Sequence, residues 1–261
     1  MLRRFIRDVK NYKTYGVYSA KATLKSEVAG SYLNWLWWIL DPLLFMLVYT
    51  FIVQVVFNKR MPNFHIYVFI GLNVWKMFNS TIISSASLIR LSKGVLSKVY
   101  VPKFIMLASK IYVATFKMVV SFTLVFLMCL FSGIALGLRV LYCIPLLAVL
   151  CVVTFGLGLI VMHIGVYLKD LGNMMNVFLR LVYYMSGIFF DIANGVPYPY
   201  NEILLKLNPI AFIIQSMRQA IMYNTAPDFL VLGFWLVMGV LFSLLGLSWT
   251  YRYENNYVKV V

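Results

Sequence analysis

Long apolar runs alternate with short basic segments along this chain. A membrane-crossing helix needs roughly 20 mostly apolar residues. Six stretches fit that demand: 35–57, 67–89, 104–132, 140–168, 171–190 and 229–251. The first is interrupted only by Asp41. The second is weaker, because it carries Lys76 and many Ser and Asn residues. The third has Lys110 and Lys117 in its first half, and the fifth contains Arg180. An even number of crossings returns both termini to one side. Residues 2–13 follow another rhythm. Leu2, Phe5, Ile6, Val9 and Tyr12 recur at the spacing of one helical face. Arg3, Arg4, Arg7, Lys10 and Lys13 fill the positions between. This pattern predicts an amphipathic helix lying in the inner membrane interface, cations toward anionic headgroups. The expected organisation is an interface segment over 1–30 and a six-span domain over 31–261.

Composition narrows the class. Of 261 residues, 62% are hydrophobic and only 12% are charged, about half the charged share of an ordinary soluble domain. A soluble fold of this size could not hide so much apolar surface. A soluble enzyme, a secreted disulfide scaffold and a disordered protein are therefore excluded, leaving an all-α integral membrane protein. Cys129, Cys143 and Cys151 stand singly in apolar stretches, with no metal-ligand spacing.

The net charge of +15 could serve nucleic acid or an anionic membrane surface, and the apolar content favours the membrane. Its distribution sets the orientation. Fourteen of the 23 Lys and Arg residues fall on the side of the termini, including four in the loop after the second span: Arg90, Lys93, Lys98 and Lys103. Five fall on the other side: Lys59, Arg60, Arg139, Lys206 and Arg218. By the positive-inside bias both termini are cytoplasmic. The first apolar run is too long for a cleaved signal peptide and lacks its small-residue cleavage pattern.

The outer segment 191–228 is long for a turn and largely apolar. Residues 203–207 and 210–223 read as short helices broken at Asn208–Pro209, since proline disfavours helix at the preceding residue. Two such helices suggest a re-entrant hairpin, tolerated only beside protein or a wet cavity. Two interfacial helices lying flat would give the same pattern. Catalytic chemistry is thin. His65 and His163 have no carboxylate or Cys nearby in sequence, the acids are scattered, and no G-x-x-x-x-G-K-[ST] phosphate loop occurs. Active transport would need an ATPase on another chain.

Five stretches in order carry a resemblance. Gly30-Ser31-Tyr32-Leu33-Asn34-Trp35-Leu36-Trp37 with Asp41-Pro42-Leu43 opens the first span. Gly71-Leu72-Asn73-Val74-Trp75 lies in the second, and Leu96 to Lys103 reads as a K-x-Y-x-P-K loop. Tyr167-Leu168-Lys169-Asp170-Leu171 precedes the fifth span, and Leu207-Asn208-Pro209-Ile210 with Arg218 forms the outer hairpin. Together they resemble the polysaccharide and polyol-phosphate export permeases of the ABC-2 type. That resemblance implies a homodimer of six-span subunits with two copies of a separate ABC ATPase, which would hold ATP and Mg. It implies no catalytic residue, metal or cofactor in this chain and no nucleic-acid partner. The cargo would be an O-antigen-like, capsule-like or teichoic-acid-like polymer on a polyprenyl diphosphate, crossing a bacterial plasma membrane. The coupling loop would comprise Lys93, Lys98, Val99, Tyr100, Pro102 and Lys103, and the outer gate Asn208, Pro209 and Arg218. Two departures stand out: Lys76 replaces an apolar residue, and Gly187 to Asp191 replaces an S-P-x-F/Y-Y-P segment.

Residue chemistry adds further candidates. Lys103, Lys110 and Lys117 are spaced by seven, nearly two helical turns, and so form one stripe over roughly 21 Å. They face either a conduit for an anionic cargo or the cytoplasm, with Lys117 snorkelling. With Arg3, Arg4, Arg7, Lys10 and Lys25, Lys110 and Lys117 are the expected contacts to an anionic lipid or substrate headgroup. Sugars stack on aromatic rings, which makes Tyr32, Trp35, Trp38, Tyr49, Tyr183, Tyr184 and Phe189 candidates for a glycan path. The tryptophans also suit an interfacial belt. Rival readings are an ABC-2 exporter of a drug or lipid, a membrane enzyme acting on lipid-linked sugars, and a passive channel.

Overall fold

The computed structural model describes residues 2–29, 32–58 and 61–260. Gly30, Ser31, Lys59 and Arg60 lie outside the described residues, as do the side chains of Leu2, Asn34 and Lys259. Of the described residues, 83% are helical. The principal helices are α1 (Leu2–Val28), α2 (Trp37–Phe51), α3 (Phe64–Leu91), α4 (Lys93–Leu96), α5 (Lys103–Phe131) and α6 (Cys143–Tyr167). They continue with α7 (Leu171–Met185), α8 (Ile192–Gly195), α9 (Tyr200–Leu207), α10 (Pro209–Ile221) and α11 (Phe229–Val260).

Among the described residues, five helical stretches are long and apolar enough to cross a membrane: Trp37–Val56, Phe64–Leu91, Lys103–Phe131, Leu138–Tyr167 and Phe229–Glu254. The expected span over 171–190 is instead a helix of 15 residues followed by a turn. At about 1.5 Å per residue it covers only some 22 Å. It stops because Gly187 adopts a left-handed φ of 63°, and the chain there passes so close to Ile192 that a Cβ would lie 2.5 Å from its side chain.

Burial ranks the helices. In α3, 78% of the apolar window is buried, against 11% in the stretch containing α2. The weaker span by hydropathy is thus the centre of the bundle. Its polar side chains satisfy themselves along the helix: Asn73 donates to Phe69 O at 2.8 Å, Thr81 to Met77 O at 2.9 Å and Ser85 to Thr81 O at 2.7 Å. The helices α6 and α11 share the most extensive interface among the described residues. A Cβ on Gly156 would come within 2.7 Å of the Ser243 backbone, and one on Gly246 within 2.5 Å of Leu159. Small residues of this kind drive helix association where lipid offers no hydrophobic gain.

Helix α1 runs along α5. Phe5 meets Phe104 with tilted rings at 5.0 Å, and Ser109 donates to Gly16 O at 3.0 Å. Ile6 and Val9, predicted to share the apolar face with Phe5, are exposed.

Candidate functional site

Two adjoining cavities form a groove along the lightly buried side of the bundle. The smaller, about 220 Å³, lies among α1, α2, α3 and α5 and is walled by Glu27, Trp38, Asn73, Lys76, Ser84, Lys110, Lys117 and Ser121, among others. The larger, about 650 Å³, lies among α2, α3 and α7. Asn176, Arg180, Tyr183 and Tyr184 of α7 line it at one-face helical spacing, opposite Asp41 and Tyr49 of α2 and Trp75 of α3. Lys76 and Ser80 belong to both walls. Two ion pairs fasten the marginal helices to the core: Lys76 with Asp41 of α2, and Lys117 with Glu27 of α1. Lys117 also stands 5.7 Å from the Trp38 ring. The walls therefore present charge, hydroxyls and rings together inside an apolar bundle.

The aromatic candidates divide. Tyr183 is the hub of a packed cluster, with Trp75 and Phe189 each at 5.2 Å and Tyr184 at 5.5 Å. Tyr49 lies on Phe189 at 3.9 Å. Trp38 meets Phe116 edge-on at 6.0 Å. Tyr32 and Trp35 are exposed and line neither cavity.

The junction of α9 and α10 is fixed by two polar groups. Asn208 caps α10, accepting from Ile210 N at 3.0 Å and Ala211 N at 3.3 Å, and donates to Ser186 at 3.2 Å. Pro209 opens that helix, where its missing N–H costs nothing. Arg218 is buried, 1% exposed. It donates to Tyr67 O at 3.0 Å, Gly187 O at 2.8 Å and Ile188 O at 2.9 Å, and its guanidinium lies 3.3 Å from the Tyr67 ring centroid. Arg218 thus ties α10 to α3 and to the turn after α7, and it lines neither groove cavity.

A polar network closes the opposite end. Arg4 pairs with Glu254 and donates to Tyr100 at 3.0 Å, while Tyr100 donates to Glu254 at 3.2 Å. Tyr251 donates to Asp8 at 3.0 Å, and Lys103 sits 5.1 Å from the Tyr100 ring. Hydrogen bonding to Glu254 holds the Arg4 guanidinium above its ordinary range, and burial pushes the Tyr100 hydroxyl up. The start of α1, the α4–α5 loop and the end of α11 therefore meet at one end of the bundle. Arg90 ties the end of α3 to the α6–α7 loop by donating to Lys169 O at 3.0 Å.

Comparison with known proteins decides what this bundle is. The family model described as ABC-2 type transporter matches residues 18–222. The chain belongs to the ABC-2 type transporter family. It is 28% identical over 229 residues to the O-antigen export system permease protein RfbA of Myxococcus xanthus, covering 86% of each chain. It is 24% identical over 245 residues to a protein of the same name from Klebsiella pneumoniae, covering 91% of each. It is 25% identical over 219 residues to the polysialic acid transport protein KpsM of Escherichia coli, covering 83% of this chain and 84% of that one. The protein is thus a multi-pass transporter subunit and not an enzyme.

In this ABC-2 subunit the lysine stripe divides. Lys110 and Lys117 line the groove, whereas Lys103 is buried in the end network. Arg4 is an internal ligand of Glu254, while Arg3, Arg7, Lys10 and Lys25 are exposed. Lys93, Lys98, Val99 and Tyr100 are exposed and Pro102 is buried. His163 links α6 to α11 through Tyr257 at 2.7 Å. Sequence reasoning missed Asp41, Glu27, Ser80, Arg180 and Glu254 as functional positions. A charge inside an apolar run was the available signal for Asp41 and Arg180.

Proposed function

We propose that this protein is the membrane permease of an ATP-driven exporter that moves a polyprenyl-diphosphate-linked polysaccharide out of the bacterial cytoplasm. The observation that carries the reading is the groove. Charged, hydroxyl and aromatic side chains at membrane depth are costly unless they serve a water-filled path. This one runs through a chain similar over most of its length to relatives named for O-antigen export and polysialic acid transport. Its open side, where α2 and α7 expose Phe45, Val48, Val177, Phe178 and Leu181, would face a second copy and complete the conduit.

On this reading α7 is the fifth of six crossings. Arg90 meets Lys169 at its start, and Gly71 packs on Ile188 just past its end. Between those contacts α3 advances roughly 28 Å, close to the hydrocarbon thickness of about 30 Å. The hairpin of α9 and α10 would re-enter from outside, and the cations of α1 would rest on the inner leaflet with both termini cytoplasmic. An ATPase would dock on the α3–α5 connection. Leu91, Val95 and Val99 are exposed there in a row spaced by four, with Lys93 and Lys98 beside them. An exposed apolar row on a polar end marks a partner surface.

Co-purification with the ATPase and reconstitution into liposomes test the proposal. ATP hydrolysis stimulated by a lipid-linked glycan, together with ATP-dependent glycan transfer, is expected. A subunit that purifies alone and leaks solute without ATP would contradict it.

A further inference from the structure

The groove carries more positive charge than its own carboxylates cancel. Its walls hold Lys76, Lys110, Lys117 and Arg180 against Asp41 and Glu27. Lys76 and Lys117 are each paired. Among the described residues, Lys110 and Arg180 have no carboxylate within ion-pair distance. Arg180 lies two-thirds of the way along α7 and is exposed on the cavity side. An uncompensated guanidinium on a helix of a membrane bundle is expensive, so its counter-charge has to arrive with something that enters the groove.

The paired cations are also accessible. The Lys76 and Asp41 side chains remain 45% and 47% exposed, and those of Lys117 and Glu27 26% and 38%. Pairs this exposed contribute only about 0–1 kcal/mol, so an incoming anion can replace the protein carboxylate at little cost. Lys76 stands in the wall of both cavities, where an anion leaving one would meet it on the way to the other. Arg180 shares the larger cavity with it. The two cations thus offer successive sites to a chain bearing regularly spaced negative groups. A neutral chain would leave both ion pairs closed and Arg180 uncompensated.

Resting on the reading of the groove as the cargo path, we infer that the exported polymer carries repeated anionic groups, phosphate or carboxylate, and that Lys76 and Arg180 select for them. The anions could instead come from the diphosphate of the lipid carrier, and the test separates the two sources. The permease and its ATPase, reconstituted together, are given a polyprenyl-diphosphate-linked polysialic chain, a neutral mannan of equal length on the same carrier, or the carrier alone. The acidic chain should move at least about tenfold faster than the neutral one. The Lys76→Gln/Arg180→Gln variant should lose that preference, and Lys76→Arg/Arg180→Lys should keep it with the same yield of complex. Equal transport of the two glycans by the unaltered protein would overturn the inference. So would a preference that survives in the Gln variant, or stimulation of ATP hydrolysis by the carrier alone as strong as by the acidic chain. Failure to move either glycan would overturn the polysaccharide reading itself, and this inference with it.

Discussion

Arg218 and the groove cations are both positive charges inside a membrane bundle, yet they are built for opposite purposes. Arg218 is 1% exposed and spends its donors on three backbone carbonyls and its face on the Tyr67 ring. At 1% exposure it lies out of a ligand's reach. Lys76 and Lys117 each hold one carboxylate, stay a quarter to a half exposed, and share walls with Lys110 and Arg180. By sequence, Arg218 was a candidate through the family resemblance and Lys110 and Lys117 through their spacing, whereas Lys76 and Arg180 stood out only as charges within apolar runs. The partners separate them: carbonyls from two segments make a staple, while single carboxylates on marginal helices leave an accessible cation.

The comparison can be broken most severely at the staple. Arg218→Met strips the buried Gly187 and Ile188 carbonyls of their side-chain donor and Tyr67 O of its second one, and each unsatisfied buried group costs about 1–3 kcal/mol. The largest fall in thermal unfolding midpoint and yield is expected there. Arg218→Lys should not restore it, because one ammonium cannot reproduce the planar fork. Recovery of full stability with lysine would show that charge alone matters. The end network comes next. Glu254→Ala removes a hydrogen-bonded partner of both Arg4 and Tyr100, at about 1.5–3 kcal/mol for bonds to a charged group. A double-mutant cycle with Arg4→Ala should give a coupling energy of about 1 kcal/mol or more; additivity within about 0.3 kcal/mol would deny the contact. On the docking row, Leu91→Asp with Val99→Asp should move stability by less than about 0.5 kcal/mol while sharply reducing the ATPase recovered with the permease. Smallest in stability is the groove itself. Lys76→Gln should shift unfolding by at most about 1 kcal/mol and act on transport instead. A large destabilisation with normal transport would make Lys76 a staple like Arg218.

Much of the helical plan was legible because apolar runs of spanning length have few alternatives in a lipid solvent. The hairpin break at Asn208–Pro209 was equally plain, since Asn caps and Pro opens a helix. The early stop of α7 was not, because it depends on the left-handed Gly187 packing beside Ile192. Hydropathy also misjudged α3. Its Ser, Asn and Lys residues weaken it as a lipid-facing span, yet lipid is not what it faces, being the most buried span of the bundle. Lysine spacing placed 103, 110 and 117 on one stripe, as periodicity requires. It could not foresee that Glu254, far away in sequence, would stand near Lys103 and leave only the other two to the groove. Partner identity is long-range information, and it divides buried staples from accessible cations.

The central claim is that polysaccharide passes along the groove walled by Lys76 and Ser80. A photoreactive side chain at Ser80, in cells making the natural polymer together with the ATPase, tests it most directly. Illumination should attach glycan to this position, with the adduct lost when the ATPase cannot hydrolyse ATP. Adducts with membrane lipid alone, or glycan adducts of equal yield at an outward-facing site such as Leu236, would contradict it.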